Sequence, residues 1–243
     1  MVSFAPEVIT HLGIFPITNT FLDTLLVDII LVTGSILLIK RFTFVPVRLI
    51  QNALEAIIEM FYALAESIAD KRASQIFPYL MSFFLFILIA NWSSLIPGVS
   101  SIGFFHNREF IPLFRGATSD LNTTLALALV SAVSTHMLSI KIIGIKEYLS
   151  RYFSFNPLNL FVGLLEIFSE ITKIISLSFR LFGNIFAGEV VLLTVSSIFA
   201  ILLPLPFLLL EILVGLVQAL VFSMLTMAFM AILTTPHQEA NAI

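Results

Sequence analysis

The 243-residue chain contains no cysteine and one tryptophan, and only 11% of its residues are charged. The missing cysteines exclude disulfides, thiolate metal sites and iron–sulfur ligation. Charge is too scarce for a soluble domain, where about a quarter of residues are Asp, Glu, Lys or Arg. A net charge of −3 offers no footprint for nucleic acid. The four histidines, His11, His106, His136 and His237, are too scattered to suggest paired metal or haem ligands. We find no phosphate-binding glycine loop and no nucleophile elbow, so no metal, cofactor or catalytic nucleophile is expected. Residues 1–20 lack the basic and apolar regions of a signal peptide, and insertion through the first hydrophobic segment is expected.

What the chain has instead is apolar length. Hydrophobic residues make up 59% of it, with 25 phenylalanines, and the mean hydropathy is +1.07. The expected fold is an all-α polytopic membrane protein. Residues 21–39, 77–97 and 120–140 read as spans, each near the ~20 residues that cross a bilayer core. Asp23 and Asp28, in the first turns of the first span, are expected to face water or headgroups. Between the first two spans, residues 45–72 put Leu49, Ala53, Ala56, Ile57, Met60 and Leu64 on one apolar face. That pattern predicts an amphipathic helix lying on the membrane or on a partner. Residues 98–119 read as a polar external loop, and Ser119 or Asp120 caps the third span. Residues 157–199 would extend about 64 Å as helix, roughly twice the bilayer core. With residues 207–234, set off by Pro204 and Pro206, they predict a strongly tilted helical hairpin.

Positive charge orients these spans. Lys40, Arg41, Arg48, Lys71, Arg72, Lys141, Lys146 and Arg151 fall in the loops after spans one and three, against Arg108 and Arg115 after span two. The N-terminus is therefore expected outside and the C-terminus inside.

One charge stands apart. Arg180 lies in an apolar run, where an arginine costs about 2.5–3.5 kcal/mol at a helix centre and cannot lose its proton. Ser169, Ser176, Gly183 and Ala187 fall within about 60° of it around a helix, as do Lys173 and Asn184, while Glu189 points about 180° away. A snorkelling arginine is the bland alternative, but apolar residues flank Arg180 on both sides. Glu189 reads either as a proton relay or as a buried hydrogen-bond donor. Glu211 and Gln218 share a face, suited to channel lining or to helix–helix hydrogen bonding. Glu170 and Lys173 form an i,i+3 pair that can be purely structural, and His136 reads as a polar anchor rather than a relay.

The run SLSFRLFGNIFAGE at 176–189 resembles the arginine motif of the a subunit of F-type ATP synthases. HLGIFPITNT at 11–20, SDLNTTLALAL at 119–129 and GLVQAL at 215–220 are similar to that family's segments in the same order. The resemblance implies a non-catalytic, proton-conducting stator subunit with two half-channels beside a rotating c-subunit ring. Other implied partners are peripheral-stalk b subunits, further ATP synthase subunits and the lipid bilayer, in a bacterial plasma membrane. It implies that Arg180 faces the ring carboxylates, that Asn184, Glu189 and Gln218 line the entry half-channel, and that Asp120 and Asn122 lie near its mouth. Glu166 resembles a carboxylate of the other half-channel, and Glu211 sits where relatives carry histidine or an acid. A secondary transporter would instead show inverted repeats and paired broken helices, which we do not find. A mere membrane anchor would not need Arg180, Glu189 and Glu211 in the bilayer.

Overall fold

The computed structural model describes residues 7–12, 15–42, 49–96, 102–106, 109–152, 157–198 and 203–235. A short antiparallel hairpin, β1 (Val8–Leu12) and β2 (Phe15–Thr18), leads into α1 (Asn19–Arg41), whose first turn is capped by the Thr18 hydroxyl accepting from Phe21 N. Next come α2 (Leu49–Ala69), a 3₁₀ turn at Asp70–Arg72, and α3 (Ala73–Ser93). A second hairpin, β3 (Gly103–His106) and β4 (Glu109–Pro112), lies in the segment expected as a polar external loop. Then follow a 3₁₀ turn at Ala117–Ser119, α4 (Leu121–Ile143), α5 (Ile145–Tyr152), α6 (Pro157–Ile198) and α7 (Pro204–Leu233). Among the described residues, five helical stretches are long and apolar enough to cross a membrane, α2 and α3 counting as one.

Several boundaries differ from the sequence expectation for local reasons. The last helix begins at Pro204 and takes both prolines into its first turn. There the missing N–H costs nothing, because the first four helical N–H groups have no intrahelical acceptor. Pro46, which suits a helix start, and Asn156, which suits the cap of the long helix, lie outside the described residues. Asp120 is the cap of α4, its carboxylate accepting from Asn122 N at 3.0 Å. Helix α4 stops at Gly144, whose φ of 84° an L side chain rarely adopts. The segment beyond it, expected as a basic loop, forms α5.

The core is built on α3 against α7, where Phe83, Phe84 and Ile87 meet Phe222, Met227 and Met230. The Phe83 and Phe222 rings lie 5.8 Å apart. Helix α2 adds Phe61, Ala65 and Ala69 to this core, while Leu49, Ala53, Ala56, Ile57 and Met60 stay exposed. Its expected apolar face is thus left for lipid or a partner, and the chain packs a different stripe. Between helices, hydroxyls pair: Thr124 with Ser178 at 3.2 Å, Ser131 with Thr226 at 2.8 Å, and Ser139 onto the Leu233 carbonyl at 2.6 Å. Such bonds average about 0.6 kcal/mol in membranes, so close approach of small residues carries most of the association.

Gly163 is the sharpest case. A Cβ there would collide with the Tyr152 carbonyl oxygen, and it would stand 3.0 Å from Tyr152 Cα. Backbone cannot swing aside as a side chain can, so α5 docks on α6 only over a glycine. Gly163→Leu is expected to cost about 1–3 kcal/mol, read as less intact complex surviving graded heating. Gly34→Ala, where nothing lies within 4 Å of the added carbon, should survive like the wild type.

Candidate proton-pathway site

The inward stripe of α6 is Leu177, Ser178, Leu181 and Ile185, all buried against α4 and α7. Packing that stripe turns Ser176, Arg180 and Ala187 outward, and all three are exposed. Arg180 Nη2 donates to Ser176 Oγ at 3.4 Å. It pairs with no carboxylate among the described residues. Lys173, expected on the same face, instead reaches inward: its Nζ lies 2.7 Å from Glu170 Oε1 and 4.7 Å from the Phe229 ring centroid.

Toward the α6–α7 turn, polar groups converge. Asn184 Nδ2 donates to Gln218 Oε1 at 2.8 Å, and Gln218 is buried. Glu211 is also buried, its carboxyl against Gly188, where a Cβ would stand 2.6 Å from Oε1. Glu189 directly follows Gly188 on α6. Counted from the two prolines, Glu189 lies 15 residues before Pro204 and Gln218 lies 12 after Pro206, which would set them at a similar depth. The packed register instead pairs Asn184 with Gln218 and Gly188 with Glu211. Gln218 is seven residues past Glu211, or about 10 Å farther from the turn.

Sequence reasoning missed three groups here. Arg115, passed over as a loop cation, brings Nη2 to 4.0 Å from Glu189 Oε2 and donates from Nε to Ser119 Oγ at 3.4 Å. Its signal was its own scarcity, since Arg108 and Arg115 are the only cations in the loop after span two. Asn91 donates to the Gly215 carbonyl at 2.9 Å and accepts from Thr118 Oγ1 at 2.8 Å. Asp23 is a correction: it is buried, not turned to water, and accepts from Ser93 Oγ and Ala117 N, each at 3.0 Å. Asp120 is buried too and accepts from Thr20 Oγ1 at 3.2 Å, whereas Asn122 is exposed.

A second cluster forms at the opposite end of α6. Arg151 Nε lies 3.6 Å from Glu166 Oε1, and its terminal nitrogens donate to the Leu233 and Thr235 carbonyls, both at 3.2 Å. Beside it are His136, Tyr148, Glu170 and Lys173. Arg180 stands between the two clusters, ten residues from Glu170 and nine from Glu189, about 14–15 Å along the helix each way.

Long apolar helices carrying buried carboxyls and an outward arginine with no ion pair among the described residues define a multi-pass membrane protein built around intramembrane charge. Residues 21–231 match the family described as ATP synthase A chain. The chain is 34% identical over 231 residues to ATP synthase subunit a of Moorella thermoacetica, covering 95% of this chain and 97% of the relative. It is 35% identical over 225 residues to ATP synthase subunit a 2 of Pelobacter propionicus, covering 93% and 90%. With ATP synthase subunit a of Gloeobacter violaceus it shares 34% over 222 residues, 91% and 85% of the two chains. The chain belongs to the ATP synthase subunit a family, a membrane component of the F0 assembly.

Proposed function

We propose that this chain is the proton-conducting stator subunit of an F-type ATP synthase, non-catalytic itself, in a bacterial plasma membrane. Its neighbours are a ring of c subunits, peripheral-stalk b subunits and the remaining ATP synthase subunits. The ring lies against the face of Ser176, Arg180 and Ala187. The carrying observation is Arg180: a guanidinium that cannot deprotonate, facing outward with no ion pair of its own among the described residues. A charge so placed in a bilayer calls for an anionic partner or water, and a ring carboxylate is the partner that fits.

The two polar clusters flanking Arg180 are the two half-channels. Asn184, Glu189, Glu211 and Gln218 line the one that opens outside, with Asp120 and Asn122 nearer its mouth. Glu166 lies on the one that opens to the cytoplasm, the side assigned by the positive loops. Arg180 between them bars a direct leak. Proton traffic therefore has to ride the ring, which couples flux to rotation.

Cysteine placed at 176 or 187 is expected to crosslink to a c subunit in membranes bearing the whole complex. Crosslinks from both positions only to other helices of this chain would sink the reading.

A further inference from the structure

The cluster at the cytoplasmic end holds more ionisable groups than the half-channel assignment uses, and any proton-carrying role for them rests on that assignment. Tyr148 OH and His136 Nδ1 are 2.9 Å apart. His136 Nε2 is 3.8 Å from Glu170 Oε2, and Glu170 Oε1 is 2.7 Å from Lys173 Nζ. These contacts string α5, α4 and α6 together in one line. Glu170 is the least accessible member, its side chain 14% exposed against 23% for Lys173 and 28% for His136.

Glu166, the carboxylate suggested by resemblance, is held differently. Its oxygen lies 3.6 Å from Arg151 Nε, and Arg151 is itself anchored to two carbonyls at the end of α7. That guanidinium ties α5, α6 and α7 together, which makes Glu166 one arm of a clamp. Tyr152, the other hydroxyl nearby, is no better placed to carry a proton. Burial, the neighbouring Tyr148 and the charges of Glu170 and Glu166 push its phenol well above the ordinary range, so it stays neutral. The charged and titratable groups facing His136 and Glu170 are therefore Tyr148, Arg151 and Tyr152 from α5, and Glu166 and Lys173 from α6. Helix α7 contributes Phe229, beneath Lys173.

The geometry points to His136 and Glu170 as the proton relay at the cytoplasmic end of the path, with Tyr148 and Lys173 as positioning residues. An imidazole can take a proton at one nitrogen while the other is already hydrogen-bonded. In the outward-to-cytoplasm direction, protonated Glu170 gives its proton to His136 Nε2, leaving a carboxylate and an imidazolium. The imidazolium then releases its other ring proton, the one on Nδ1, toward cytoplasmic water, the remaining proton shifts from Nε2 to Nδ1 to reset the ring, and the next proton arriving along the path restores Glu170. In ATP-driven pumping the same steps run backwards. The 3.8 Å gap is longer than a hydrogen bond, and it closes by a small side-chain rotation or through one bridging water. Lys173 holds Glu170 in place and keeps its ionised form compensated between transfers. Tyr148 fixes the ring plane from the water side.

The test uses inverted membrane vesicles carrying the assembled complex, with assembly scored by recovery of c and F1 subunits. His136→Gln keeps a hydrogen-bonding side chain of similar reach but cannot take up a proton. It is expected to lower ATP-driven pumping and passive proton conduction about tenfold or more at unchanged assembly. A merely structural histidine would be replaced by glutamine without that loss, so wild-type flux in assembled His136→Gln overturns the relay. Should His136→Gln fail to assemble, Glu170→Asp decides. It keeps the charge beside Lys173 but withdraws the carboxylate from His136, and should slow flux several-fold; wild-type flux there overturns the relay as well. The two failures are separable. Normal pumping by Arg180→Ala removes the proton-path reading altogether. An inactive Arg180→Ala complex beside a fully active His136→Gln complex removes only this relay.

Discussion

Arg180→Ala is expected to abolish ATP-driven proton pumping in inverted vesicles while the complex still assembles. The side chain is exposed, and it holds a 3.4 Å hydrogen bond to Ser176. Removing it therefore creates no cavity and orphans no buried partner, and a folding defect is not the expected outcome. What is lost is a fixed positive charge on the face proposed to meet the ring. Opposite charge within about 4–6 Å favours the ionised form of a carboxylate, so without Arg180 a passing ring carboxylate is no longer held charged at the boundary between the half-channels. Arg180→Lys should also fail substantially. An ammonium is a compact, strongly hydrated point charge, and it lacks the planar fork that engages a carboxylate through two parallel hydrogen bonds. Normal pumping by an assembled Arg180→Ala complex would falsify the proposed role.

Glu189→Gln carries the second largest expected effect. Glu189 Oε2 is buried and lacks a hydrogen-bond partner among the described residues, as does Glu211 Oε2. The cation within reach of Glu189 is Arg115, at 4.0 Å. An acid–base group placed on a transfer path contributes about 10²–10⁴-fold, and glutamine keeps the shape of the side chain while losing that capacity. Proton flux should accordingly fall by about a hundredfold at unchanged assembly. Glu189→Asp, which keeps an ionisable group one methylene short, should slow flux less. The check is passive proton conduction measured between about pH 6 and about pH 9, spanning the range in which transfer groups work best. Wild-type flux across that range would remove Glu189 from the path. Glu211 then becomes the carboxyl to test next, because it touches Gly188 on the same stretch of α6.

Arg180 was legible from sequence because a lone charge in an apolar run has no soluble explanation. So was the cap at Asp120, since an N-terminal cap is a purely local device. The long helix was legible as well: α6 runs unbroken for 42 residues, with no proline beyond its first position. Helix α5 was not. It is only eight residues long with three charged side chains, too short for hydrophobic periodicity to show, and its stability comes from docking over Gly163. The burial of Asp23 was equally invisible, because its donors lie 70 and 94 residues away in sequence. Arg115 and Glu189 likewise sit on different elements, and nothing local announces that they meet.

The sequence by itself determined that this is a multi-pass helical membrane protein with charge inside it. A bilayer imposes one thickness, and every backbone polar group must be satisfied within its own segment, so apolar length alone identifies the helices. Helical periodicity then determined which residues share a face of any one helix. Only the tertiary structure decided which faces meet and at what depth. The rotation and sliding of α6 against α7 are set by where small residues permit close approach, as Gly188 does for Glu211, and Gly215 does the same for α3 at Asn91. That contact pattern sets Gly188 against Glu211 and Asn184 against Gln218. It also turns Arg180 away from its own chain, because the buried stripe of Leu177, Leu181 and Ile185 leaves the arginine no other side of the helix.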